Sequence, residues 1–82
     1  MGNNEFTELA TVLVADHAHL PVSDVYVVWL VKVLQNNKAL LSTTRSDGMY
    51  YEVTLNGTDQ QVYLDAYVKE ENIAFEINEL SK

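Results

Sequence analysis

Ten consecutive residues constrain this chain more than any others: Val25-Tyr26-Val27-Val28-Trp29-Leu30-Val31-Lys32-Val33-Leu34. Nine of the ten are apolar, five are valine, and no Gly, Pro, Ser or Asp interrupts them. β-Branched and aromatic side chains favour a pleated strand over a helix. Ten residues are too few to span a bilayer as a helix, and Lys32 sits among them. The stretch therefore reads as the strand, 25–34, against which a sheet is registered.

The flanking segments supply the other elements. From about 5 to 18, Phe6, Leu9, Ala10, Leu13 and His17 recur at helical spacing. Asn3 or Asn4 can cap that helix, and Glu5 and Glu8 fall in its first turn, where the helix dipole favours acids. Leu20-Pro21 ends it, since a residue before proline avoids the helical region. After the long strand, Gln35-Asn36-Asn37-Lys38 supplies a turn into a strand at 38–44. Ser46-Asp47-Gly48 turns into a third strand at 49–55, and Asn56-Gly57 is the strongest hairpin signal in the chain. A fourth strand is expected at 60–69, and Glu71-Asn72 can turn it into a fifth at 73–77.

A two-residue Asn56-Gly57 loop would set Leu55 opposite Thr58, Tyr51 opposite Val62 and Tyr50 opposite Tyr63. A loop at Asp47-Gly48 would set Ser42 and Thr44 beside Val53 and Tyr51. One face then carries Val27, Trp29, Val31, Val33, Leu40, Tyr51, Val53, Val62, Leu64, Ala66, Val68, Phe75 and Ile77. The amphipathic helix is the element available to cover it. The expected fold is a single α+β domain spanning 1–82, with an N-terminal helix packed on one face of a four- to five-stranded antiparallel β-meander.

The second face is where function is sought. It would hold Tyr26, Val28, Leu30 and Leu41 as an uncovered apolar patch, a candidate interface. Alongside stand Tyr50, Glu52, Tyr63, Asp65, Tyr67 and Glu76, a candidate recognition face of tyrosines and acids. A thin core in so short a chain makes self-association a natural further source of stability, so a homodimer is expected. Twelve acids against five bases, a formal charge of −7, disfavour nucleic-acid binding and suit a basic protein partner.

Chemistry is sparse. No cysteine is present, so thiol nucleophiles, disulfides and thiolate zinc sites are excluded. There is no glycine-rich phosphate loop and no nucleophile elbow, and Ser42, Thr43 and Thr44 lack an identifiable base. Asp16-His17-Ala18-His19 is the one metal-like cluster, but residues two apart point to different sides of a helix. No catalytic residue, metal or cofactor is expected. The N-terminus lacks a basic stretch followed by an apolar run, and Phe6 stands where a myristoylation signal needs Ser or Thr. The expectation is a cytoplasmic protein with no membrane partner.

Asp24-Val25-Tyr26-Val27-Val28-Trp29, then Leu34 through Thr44, Asp47 through Thr54, Asn56-Gly57 and Tyr63-Leu64-Asp65-Ala66-Tyr67, carry a family likeness. Over about 23–75 the chain resembles a family of small uncharacterised proteins from temperate phages and prophages of Gram-positive bacteria. That family has no assigned activity, so the resemblance implies a context and no catalytic residues. It implies an accessory protein binding a host factor, with a virion or assembly component as the alternative. A small-ligand binder or an enzyme ranks below both.

Overall fold

The computed structural model of the protein describes residues 2–69 and 73–74. Helix α1 (Asn3–Ala18) leads through a 3-10 turn (Val22–Asp24) into strands β1 (Val25–Val33), β2 (Asn36–Thr43), β3 (Met49–Asn56) and β4 (Gln61–Val68). The strands form one antiparallel sheet in the order β1-β2-β3-β4, so the fold is the expected α+β meander under a single helix. Ile73 and Ala74 carry no strand. The rest of the expected fifth strand, 75–77, lies outside the described residues, as do Phe75, Glu76 and Ile77.

α1 is anchored by a row at four-residue spacing: Phe6, Ala10, Val14 and Ala18 are all buried. This differs from the expected stripe, for Val14 lies inside while His17 stays exposed at the helix edge. The His17 ring instead meets the buried Tyr51 ring edge-on, with centroids 5.9 Å apart. Gly2 occupies the N-cap position and no side chain caps the helix, contrary to the expectation for Asn3 or Asn4. At the other end His19 adopts a left-handed conformation, and the Leu20 N–H returns to the Ala15 carbonyl, closing the helix before Pro21. The Arg45 guanidinium donates to the Ala18 carbonyl at 2.9 Å, tying the helix end to the β2–β3 loop.

Beneath the helix lie Ala39 and Leu41 of β2 and Tyr51, Val53 and Leu55 of β3, flanked by the half-buried Val25, Val27, Leu30 and Leu64. Small alanines at 10, 18 and 39 let the helix approach closely, and Phe6 and Leu41 fill the space between. Complete burial of each of those two side chains contributes roughly 1.5–3 kcal/mol.

Three details of register differ from expectation. β1 and β2 turn on Leu34 and Gln35, with Val33 opposite Asn36, so Asn36 and Asn37 belong to β2. Leu34 takes the positive φ of 56° that the asparagines were expected to supply. The β2–β3 connection runs over 44–48 rather than two residues, held by Thr44 N–H on the Asp24 carbonyl and by Asp47 Oδ1 accepting from Met49 N–H. Leu41, not Thr44, therefore sits opposite Tyr51. The β3–β4 loop occupies 57–60, and Leu55 faces Val62 rather than Thr58. There the Asn56 side chain accepts from the N–H groups of Thr58 and Asp59, which lengthens the turn. This last shift is by four residues and leaves every β4 side chain on its expected face.

Candidate functional site

A β-bulge decides which residues form the open face. Val27 pairs with Leu41 and Trp29 with Leu40, which leaves Val28 as an extra residue in β1. Because side chains alternate along a strand, one inserted residue exchanges the faces of everything beyond it. Val25 and Val27 point toward the helix before the bulge; Leu30 does so after it. Trp29, Val31 and Val33 consequently stand on the side away from α1.

The open face can be read as four rows across the sheet. Tyr26, Ser42, Tyr50 and Tyr67 make the first, and Trp29, Leu40, Glu52 and Asp65 the second. Val31, Lys38, Thr54 and Tyr63 follow, then Val33, Asn36, Asn56 and Gln61. The β1 side is apolar: Trp29, Val31 and Val33 are 40%, 43% and 59% exposed. The β4 side carries the tyrosines and acids, with Tyr63 and Tyr67 exposed. Lys38 bridges the two halves, its Nζ 3.4 Å from Glu52 Oε1. Along the β1–β2 hairpin Val31, Val33, Asn36, Lys38 and Thr54 enclose a shallow groove of ≈ 310 Å³.

The residues singled out in the sequence divide accordingly. Tyr50, Glu52, Tyr63, Asp65 and Tyr67 share the open face, and Tyr26 joins them in the first row. Glu76 lies outside the described residues. The apolar patch is corrected. Leu41 is fully buried under α1 and Leu30 packs against the same core, so neither belongs to the open face. Val28 is exposed, but at the bulge rather than within a regular row. The apolar half is made instead by Trp29, Val31, Val33 and Leu40, which strict alternation along the sequence puts under the helix. Nothing in the valine-rich run marks the bulge, because either side of it is apolar.

On the helix side β4 is left partly open: Val62 and Val68 share the face that α1 packs on, yet both are exposed. Among the described residues no three His, Cys, Asp or Glu side chains converge as metal ligands, Asp16, His17 and His19 included. No described helix is long and apolar enough to cross a membrane.

Comparison with curated proteins and with solved structures finds no match. A family model does match, over residues 4–77, which takes in all but the first residue of α1 and the four strands β1 to β4. The chain belongs to the family of unknown function DUF6275.

Proposed function

We propose that this member of a family without an assigned activity is a non-enzymatic protein-binding module acting through the open face of its sheet. One observation carries the reading: Trp29, Val31, Val33 and Leu40 form a contiguous apolar half-face that no described element covers. Soluble domains seldom leave such a surface exposed unless something docks on it. The first partner is a second copy of the chain, for which a thin core gives reason. The tyrosine-acid half suits a basic protein, and the net charge of −7 speaks against nucleic acid.

On the resemblance to phage and prophage proteins, our reading is an accessory protein that acts on a host factor in the cytoplasm of an infected or lysogenic cell. An assembly role is the second reading. It is favoured by β1, which pairs only with β2 and so presents a free edge among the described residues. Mass spectrometry of purified particles separates the two, since an assembly component is found in the virion and an accessory protein is not.

Light scattering across a dilution series tests the face itself. The wild type should weigh twice the 9.3 kDa chain and dissociate on dilution, while Val31→Glu should be a folded monomer. A wild type that is monomeric throughout removes self-association from the reading. A purified partner that binds Val31→Glu as tightly as wild type removes the face altogether.

A further inference from the structure

Of the chain's asparagines, Asn56 alone is followed by glycine. The pairing matters chemically, because a glycine nitrogen closing on the preceding carboxamide brings no side chain of its own to obstruct the approach. The pair lies where β3 runs into the 57–60 loop. Asn56 and Gly57 are half-buried there, and Thr58 and Asp59 are exposed.

The loop acts on both ends of the Asn56 carboxamide. Its Oδ1 accepts from two backbone N–H groups, those of Thr58 at 3.1 Å and Asp59 at 3.2 Å. Two donors on one carbonyl oxygen polarise it and stabilise negative charge that develops there, as an oxyanion hole does. Its Nδ2 donates to Asp59 Oδ2 at 3.2 Å. The Gly57 N–H, by contrast, reaches across the sheet and donates to Asn36 Oδ1 at 3.3 Å, a long hydrogen bond. The electrophile is thus activated, while the nucleophile is held back by one neighbouring side chain.

We propose that Asn56 is a site of spontaneous deamidation in the folded chain, with Asn36 as the residue that restrains it. Once its N–H leaves Asn36, the Gly57 nitrogen forms a bond to Asn56 Cγ. The Cγ–Nδ2 bond breaks and ammonia departs, its third hydrogen replacing the proton that the Gly57 nitrogen released to solvent. Water then opens the cyclic imide at either carbonyl and leaves aspartate or isoaspartate. The product undoes the loop. A carboxylate takes the place of Nδ2 against Asp59 Oδ2, exchanging a hydrogen bond for like-charge repulsion. Val33, Asn36 and Asn56 share one row, so the new charge also stands at the end of the open face. The reaction goes forward whether or not that face binds a partner.

The full chain, aged in mildly alkaline buffer beside a urea-unfolded sample, provides the test. Peptide mass mapping should find the amide-to-acid change at Asn56 before any other asparagine, with isoaspartate among the products. Isomerisation at Asp47-Gly48 also yields isoaspartate but leaves the mass unchanged, so mass separates the two. Asn36 is exposed, so its variants keep the fold, which circular dichroism checks. Asn36→Ala, losing the hydrogen bond to Gly57, should convert about fivefold faster than wild type. Asn36→Asp keeps an acceptor oxygen and should convert no faster than wild type. An Asn56 that stays intact in the folded chain while the unfolded sample converts overturns the proposal. So does a rate that Asn36→Ala leaves unchanged, or that Asn36→Asp raises as much as Asn36→Ala.

Discussion

Glu52 of β3 and Asp65 of β4 face one another directly across the ladder on the open side of the sheet. Like charges in that position repel, and the Lys38 contact to Glu52 at 3.4 Å offsets only part of this. Asp65→Asn should therefore stabilise the fold by about 0.2–1 kcal/mol. Urea denaturation at low and high salt checks it. The wild type should gain stability with added salt and the variant gain less, because screening does for one what substitution does for the other. A variant less stable than wild type at low salt would mean that Asp65 has a favourable contact outweighing the repulsion.

Leu30 and Val31 are adjacent in sequence and opposite in consequence. Leu30 packs against the core beneath α1, whereas Val31 lines the groove on the open face. A carboxylate at 30 must be desolvated against apolar neighbours, so Leu30→Glu should destabilise by roughly 2–5 kcal/mol and lower the unfolding midpoint sharply. At a dilution where both chains are monomeric, Val31→Glu should change stability by less than about 0.5 kcal/mol, as a surface substitution does. Thermal unfolding followed by circular dichroism distinguishes them, and equal losses at both positions would contradict the assignment of faces.

How far the fold can be read from the sequence follows from these same residues. The helix and the four strands are legible because their signals are local: four-residue spacing in α1, turn residues between alternating runs elsewhere. Register is a relation between strands, and there the local signals mislead. Asn36-Asn37 advertise a turn, but the chain turns two residues earlier on Leu34-Gln35, and Leu34 has no preference for positive φ. Gly57 looks like a hairpin glycine, but it is required by close approach to Gln35 and not by a tight two-residue turn. The tyrosine-acid half of the open face was found because β3 and β4 alternate cleanly and their register error was even. The apolar half was missed because the β2–β3 loop is longer than its glycine suggests and because Val28 is indistinguishable from its neighbours.

Gly57 yields a sharper expectation than Gly48, although Gly48 has the more unusual backbone. At Gly48, with φ 71°, an added Cβ would come no nearer than 3.9 Å to the Lys69 carbonyl oxygen. Alanine there costs about 1–2 kcal/mol for the left-handed conformation alone. At Gly57 the Cβ would overlap the Gln35 carbonyl at 2.2 Å, so the two loops must move apart. Gly57→Ala should cost about 1–3 kcal/mol as an overpacking change and should shift the backbone resonances of both Gln35 and Gln60. Chemical shifts confined to 56–58 would show that the loops do not share this contact.

Val28 permits a test that few strand residues allow, namely removal. Deleting a residue from a regular strand moves every later side chain to the opposite face, which a half-buried sheet does not survive. Val28 is the extra residue of a bulge, so its loss brings Val27 next to Trp29 with Val27 still inward and Trp29 still outward. The ladder from Val25↔Thr43 to Val33↔Asn36 then closes without interruption. Deletion of Val28 should leave a cooperatively folded protein, whereas deletion of Leu30 should abolish the fold. The bulge has its own role at this edge: it bends β1 and breaks the even row of backbone groups that another strand would need. The shortened chain should accordingly keep its fold and self-associate more readily, seen as a mass that rises with concentration more steeply than for wild type. Loss of folding on deletion of Val28 would show that the twist imposed by the bulge is itself needed for α1 to seat on β1 and β2.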